Sequence, residues 1–268
     1  MTAATMVRQA RALLGVGFQE GMAYRASGLI WIMTDVATAV TMPMVWAAAA
    51  RNGTIQGFST SDIVLYYLCQ LLLNGFITSH ILWELAMEIK DGAFTTYLMR
   101  PTPIYLQYFC RNLSWRLIRP MLFLPIFLVL LGFYRPMLGA ATLNLGPEFW
   151  LALVSGHLVS FTFVMMMGMI ALYTEEAMSI FELYYVPMLF LSGNLFPIAM
   201  LPDWARFLAK LMPFYYTSGL PTEILVGRVG GGAAWQGVLA QWVWIGLAFM
   251  GAQVMFRRGI RHYSGVGM

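Results

Sequence analysis

Long apolar runs alternate with short polar punctuation along this chain. A helix that crosses a bilayer needs roughly 20 predominantly apolar residues, and five segments meet that requirement: residues 29–50, 63–83, 113–134, 149–173 and 235–256. A sixth, 180–201, is weaker, because Glu182 lies near its start and Pro197 near its end. Ahead of them, Met6, Ala10, Leu13, Leu14 and Gly17 share one helical face while Arg8 and Arg11 fall on another. That pattern predicts an amphipathic helix within residues 1–27, lying along the headgroup boundary with its cations toward anionic lipid. No uninterrupted apolar stretch follows Arg8 and Arg11, so the segment is not read as a cleavable signal peptide. The expectation is an all-α polytopic membrane protein of six transmembrane helices, in one domain over residues 1–268.

The basic residues orient it. With both termini inside, Arg8, Arg11, Arg25, Lys90, Arg100, Arg111, Arg116, Arg119, Arg257, Arg258 and Arg261 fall on or near the cytoplasmic side. Arg51, Arg135, Arg206, Lys210 and Arg228 fall outside, which is the bias that cytoplasmic loops carry. Without the weak span the C-terminal arginines would be outside too, which argues that it is real. Pro120 and Pro125 are expected to bend the third span. The tryptophans Trp31, Trp46, Trp83, Trp150 and Trp235 collect near span boundaries, where amphipathic rings settle.

Composition agrees. Of 268 residues, 60% are hydrophobic and 10% charged, against about a quarter charged in a soluble domain; mean hydropathy is +0.69. A net charge of +4 with dispersed arginines excludes a nucleic-acid partner. Cys69 and Cys110 lack CxxC spacing and imply neither a disulfide framework nor a zinc site.

Two stretches depart from plain hydrophobicity. Residues 88–103 run Glu88-Ile-Lys90-Asp91-Gly92 and on through Thr95 to Arg100, Pro101 and Pro103. Gly92 is placed to end one helix, Thr95 and Thr96 to start another turn, and the two prolines to stop it. The result is a short, stiff cytoplasmic knuckle, or else an ordinary charged loop. Residues 190–228 are too apolar for a water-exposed loop, yet Pro197, Pro202, Pro213 and Pro221 punctuate them. Helical spacing of Trp204, Phe207, Leu208 and Leu211 predicts short helices over about 203–212 and 219–227. They would form a hairpin between Gly193 and Gly227, dipping into the outer leaflet; irregular backbone at that depth is tolerated only when protein or a lined cavity satisfies it. A loop resting on the bilayer is the plainer alternative.

Together these stretches resemble type-2 ATP-binding-cassette (ABC) exporter permeases, in the branch of short six-span subunits. The run EIKDGAFTTYLMRP resembles the family's acidic-basic-glycine turn followed by "yLlrP". FLSGNLFPIAMLPDWARFLAKLMPFYYTSGLPTEILVGR is similar to its glycine- and proline-punctuated segment before the last span. The resemblance implies a permease dimer, of two copies or of two related subunits, in a bacterial inner membrane. Each subunit would dock a cytoplasmic ABC ATPase. Glu88, Lys90, Asp91, Gly92, Thr95, Arg100 and Pro101 would belong to the coupling helix at that joint. The hairpin over 193–228, with Gly193, Pro197, Pro202, Pro213, Pro221 and Gly227, would cap the exit path. The run Gly230-Gly231-Gly232 departs from the pattern and would loosen the link into the last span.

No cofactor is expected on this chain; ATP and Mg would sit on the partner. A P-loop needs glycines followed by Gly-Lys-Ser/Thr, and here Lys90 follows Ile89 while Lys210 follows Ala209. The chain is therefore not read as an enzyme. Asp35 and His157 are the ionisable groups expected inside spans, a costly placement that usually faces protein or a cavity. Asp35 pairs with an arginine or serves a cargo or proton; His157, on a face with Gly156 and Ser160, hydrogen-bonds a neighbouring span or touches cargo. A rival reading is an ion-coupled transporter or channel relaying protons through Asp35 and His157, but it calls for paired broken helices in both halves, and only the second half has one. His80, Glu84 and Glu88 recur every four residues. They lack a HExxH core and are expected to be a helix end facing solvent or a partner rather than a metal site.

Overall fold

In the computed structural model the backbone is described for residues 3–23, 25–50, 53–139, 142–174 and 176–265. The fold is all-helical, 79% of it helix, without strands among the described residues. Four segments are long and apolar enough to cross a membrane: Thr60–Lys90, Ile104–Met137, Pro147–Leu172 and Gly231–Gly259. Two shorter apolar helices, Val36–Trp46 and Ser179–Leu191, accompany them.

The N-terminal helix α1 (Ala3–Ala23) lies along the first part of α6 (Ile104–Tyr134), and Ser114 donates to the Leu14 carbonyl at 3.1 Å. Its inner face carries Ala10, Leu13, Leu14 and Gly17; Arg8 and Arg11 point outward. Helix α2 (Arg25–Ala49) packs on α3 (Thr60–Ile77), which starts from a capping box of Ser59 and Asp62. That box satisfies two of the amides a helix start leaves open.

The second predicted span is not one helix. α3 stops at Ile77 and α4 (Ile81–Lys90) begins after a break at residues 78–80. The break is held by side chains: Thr78 donates to Asn74 Oδ1 at 3.2 Å, and the Ser79 amide donates to Ser160 Oγ at 2.9 Å. Apolar content cannot register this, because the break satisfies its backbone with neighbouring polar groups rather than with turn residues.

The third span begins earlier than its hydropathy suggests. α6 starts at Ile104, after the short α5 (Thr95–Leu98), and stays continuous through Pro120 and Pro125. Its first half carries Gln107, Arg111, Asn112, Ser114, Arg116 and Arg119, which lower hydropathy yet face protein. α7 (Pro147–Gly168) and α11 (Gly231–Gly259) pack along each other. Ser155 donates to Gln241 Oε1 at 2.6 Å across that seam. The glycine run is not a slack link: Gly230 caps α11 and Gly231 is its first residue. Leu239, Trp242, Val243, Leu247 and Met250 on α11, with Met121, Leu124, Leu128 and Val129 on α6, face outward. Apolar surface of that extent is what a lipid-solvated exterior requires.

The expected span 180–201 ends early. α8 (Ala177–Leu191) has 15 residues, about 22 Å of helix. Gly193, at φ +87°, turns the chain, and residues 192–202 continue as irregular backbone with one 3-10 turn at Ile198–Met200. Then come α9 (Asp203–Leu211), a π-helical turn (Tyr215–Gly219) and α10 (Leu220–Leu225), close to the two short helices expected from sequence.

Candidate functional site

The knuckle is built on one arginine. Arg111, near the start of α6, holds Glu84 through Nη2 and Glu88 through Nη1, each at 2.6 Å. Glu88 also accepts from the Tyr108 hydroxyl at 2.6 Å and from Tyr97 at 3.1 Å. Tyr97 accepts in turn from Arg111 at 2.7 Å and stacks on Tyr108 at 4.9 Å. Burial pushes the Tyr97 phenol above its ordinary range, with Arg111 opposing, so it remains a hydrogen-bond donor at neutral pH. Three helices, α4, α5 and α6, are therefore tied at one point. Charge-assisted bonds of this kind are roughly twice as strong as neutral ones.

Around that tie the turn closes. Gly92 adopts φ +77°, which favours glycine, and Phe94 is buried against Tyr108, Phe256 and Tyr263. Tyr263, beyond α11, donates to the Gly92 carbonyl at 2.9 Å and meets Thr95 Oγ1 at 3.2 Å. Gln9 of α1 donates to the Pro101 carbonyl at 3.2 Å. Arg100 lies 5.0 Å over the Tyr97 ring. Both ends of the chain thus brace the same turn. Its outer surface presents Asp91, Thr96, Arg100, Pro101 and Met99, which is 80% exposed. Of the predicted coupling residues, Glu88 is turned inward onto Arg111, Lys90 is half-buried, and Asp91 and Arg100 face out.

The segment 193–227 is pinned by polar groups that hydropathy conceals. Tyr66 of α3 donates to the Gly193 carbonyl at 3.1 Å, and Tyr67 and Trp46 donate to the Leu195 carbonyl at 2.6 and 3.2 Å. Gln70 and Asn74, one turn apart on α3, both donate to Asn194 Oδ1 at 2.8 Å. Gln70 also joins Ser218 and Thr222. The irregular backbone thereby finds the donors that it needs away from water. Pro197, Pro213 and Pro221 are buried; Pro202 is exposed and precedes α9, and Gly227 is exposed at φ +74°.

Glu223 of α10 is 5% exposed and accepts from Tyr215 at 2.6 Å, while its Oε1 makes no hydrogen bond. Burial pushes its carboxyl up, against the Tyr215 bond and the charges of Lys210, Arg228 and Arg206. A carboxyl raised in the fold favours the folded state when protonated, so stability should fall as pH rises from its unfolded value through its folded one. Glu223→Gln should flatten that decline in apparent Tm of the detergent-solubilised protein. An unchanged slope would show that other groups set it.

A cavity of about 480 Å³ lies among α2, α3, α4, α6 and α8, lined by Gln70, Asn74, Asn112, Arg116, Arg119, Trp115 and Tyr184 among others. Arg116 and Arg119 are 5% and 8% exposed. The sequence counts them only as cytoplasmic-side cations; their i, i+3 spacing with Asn112 and Trp115 one turn earlier was the available signal. His80 accepts from Arg119 while Glu84 and Glu88 share Arg111, so the three do not converge. Among the described residues no group of three His, Cys, Asp or Glu could hold a metal ion. His157 is hydrogen-bonded through Nδ1 to the Ile77 carbonyl at 3.1 Å, at the end of α3. Asp35 lies in α2, but its side chain is outside the described residues.

A family model described as ABC-2 family transporter protein matches residues 36–267. The chain belongs to the ABC-2 transporter family. It is an integral membrane protein, of the membrane component of such transporters rather than a catalytic subunit. A nodulation protein J of Sinorhizobium fredii (strain NBRC 101917 / NGR234) is 42% identical over 52 residues, which span 19% of this chain and 20% of that protein. In this ABC-2 protein the family match takes in the knuckle, the cavity and the segment 193–227; of α1, it takes in nothing.

Proposed function

We propose that this chain is the permease subunit of an ABC exporter, moving an amphipathic or hydrophobic cargo outward with ATP hydrolysed by a partner. Six spans cross the bacterial inner membrane, α2 and α8 completing the four longer ones, with both termini cytoplasmic and α1 lying in the interface. Two permeases pair, identical or related, and each docks a cytoplasmic ABC ATPase carrying ATP and Mg. The segment 193–228 re-enters the outer leaflet and caps the exit.

The knuckle carries this reading. It is rigid where it meets the spans, through Arg111, Glu84 and Glu88, and presents Asp91, Met99 and Arg100 outward. An element with exposed charge around an apolar tip, braced by partly buried ion pairs, can receive a displacement and pass it to α4 and α6 without deforming. Closure of the ATPases would thus reach the walls of the cavity, since Glu84 and Trp115 line it on those two helices.

The test is capture and coupling together. The tagged permease, expressed with a candidate ABC ATPase, should co-purify with it and stimulate its ATP hydrolysis. The double reversal Asp91→Arg with Arg100→Glu should cut stimulation severalfold while the permease still inserts and pairs, because rim charges set encounter and register. A chain that isolates alone and transports without ATP would overturn the proposal; unchanged stimulation would remove the knuckle from the joint.

A further inference from the structure

We propose that Glu223 is a proton-binding site in the outer segment: residues 193–227 are closed over its neutral carboxyl here, and they open when the proton leaves. That the opening clears an exit path rests on the permease reading above; the proton linkage does not.

Geometry makes the carboxyl neutral. Among the described residues Glu223 is the acidic side chain that is fully buried. An ionised carboxylate offers about four acceptor positions. This one accepts from the Tyr215 hydroxyl at 2.6 Å, and its Oε1 accepts from nothing. A buried carboxylate so poorly solvated takes up a proton rather than keep its charge.

The groups around it do not supply a counter-charge in contact. Arg206 of α9 is turned to the Ala199 and Leu201 carbonyls at 2.9 and 3.0 Å and to Asp203 at 3.4 Å. Arg228 is turned to the Gly57 carbonyl at 2.9 Å and to Asp62 at 3.0 Å. Lys210 is exposed to solvent. These cations and the Tyr215 bond favour the charged form without outweighing burial. On α3, besides Asp62 and the buried thiol of Cys69, Tyr66 donates to the Gly193 carbonyl and Tyr67 to that of Leu195. Tyr216 donates to the Lys210 carbonyl. On α7, Glu148 accepts from Asn144 at 3.0 Å and His157 is bonded to Ile77. Residues 192–202 and 231–256 carry no titratable side chain.

The same contacts close the segment. Tyr66 holds it where it leaves α8, and Tyr215 lies in its π-helical turn, a feature frequent at functional sites. The Glu223 carbonyl accepts from the Arg228 and Val229 amides at 2.8 and 3.1 Å, where the chain turns back toward α11. A charge on Glu223 is therefore solvated only if the segment lifts and admits water. The closed segment binds the proton more tightly than the open one. Closure is fully favoured below the open-state pKa and is lost as pH rises through the closed-state one.

Two readouts on the purified full-length chain in nanodiscs, without ATPase or ATP, test this. In the infrared, the difference between wild type and Glu223→Gln should contain a protonated-carboxyl carbonyl band that fades as pH rises. Nitroxides on Trp204→Cys and Trp235→Cys, both exposed positions, report opening, since the native Cys69 and Cys110 are buried. The open-to-closed ratio should climb by up to about tenfold per pH unit, the limit for one proton, and stay low and flat in Glu223→Gln. Absence of the band overturns the proposal, as does a distance distribution indifferent to pH or a pH response that survives the glutamine. Tyr215→Phe keeps the test decisive should Glu223→Gln not fold. Losing the donor that favours the charged form should move the loss of the band and the opening to higher pH, and an unmoved midpoint overturns the site. ATPase capture by a chain whose segment ignores pH would discard only the proton site. A proton-linked segment in a chain that captures none would keep the site and discard the permease reading.

Discussion

Arg111→Met is expected to lower the stability of the solubilised protein by about 2–4 kcal/mol and to bring ATPase stimulation down to the unstimulated rate. Removing one partner of a buried ion pair costs about 3–5 kcal/mol, because the charge left behind stays uncompensated. Here two carboxylates are left, only partly buried, with side-chain exposures of 43% for Glu84 and 19% for Glu88, so solvent offsets part of the loss. Thermal denaturation followed by size-exclusion chromatography reads the stability; hydrolysis by the co-purified ATPase reads the coupling. Adding Glu84→Gln and Glu88→Gln should restore most of the melting temperature, since no stranded charge remains. Stimulation should stay low, because Tyr97 and Tyr108 have lost the carboxylate that ties α5 to α6. If stimulation returned with stability, Arg111 would be a packing residue and no more.

Gly193→Ala is the second large effect, expected to cost about 2–4 kcal/mol and to loosen the whole segment that follows. The residue sits at φ +87°, where a side chain costs about 1–2 kcal/mol. A Cβ there meets the Tyr66 hydroxyl, which donates to the Gly193 carbonyl in a buried bond of 3.1 Å. Displacing Tyr66 adds the penalty of an unpaired buried carbonyl, about 1–3 kcal/mol. Gly227 is the control: its φ is +74°, and a Cβ there meets nothing within 4 Å. Gly227→Ala should therefore cost only backbone strain. Melting temperatures and limited proteolysis across residues 193–203 distinguish the pair, and equal losses would remove the Tyr66 contact from the account.

Much of the fold was legible because lipid solvation writes itself into composition. Where a helix is apolar on every side, as along 149–173 and 235–256, its existence follows from length and hydropathy alone. Helix ends marked by backbone chemistry were legible too: Gly92 takes the positive φ that stops α4, and Pro103 precedes α6. Errors arose where polar residues face protein. α6 reaches back to Ile104 because Arg111, Asn112, Arg116 and Arg119 are sheltered by α1, α3 and α4, and a hydropathy window scores them as if they met lipid. The break after Ile77 was invisible for the same reason: Asn74, Ser160 and Asn112 satisfy it from other turns and other helices.

The candidate site divides along that line. The knuckle could be located from sequence because glycine, prolines and charges are contiguous there. Glu88 looked like an outward charge, yet it points inward, since its partner Arg111 lies 23 residues away and only packing brings them together. The cavity had no contiguous signal at all; its wall is drawn from α2, α3, α4, α6 and α8.

The sequence by itself determined an all-helical membrane protein, its family motifs and the places where glycine and proline interrupt it, because these depend on local sterics and on the solvent around each segment. Tertiary structure alone decided which polar groups inside the spans meet. Gln70 with Asn194, Arg111 with two glutamates, and Arg116 with the Gly75 carbonyl are pairings between segments distant in sequence. In a bilayer such pairings replace the hydrogen bonds water would have supplied, and no local rule records which partner will supply them.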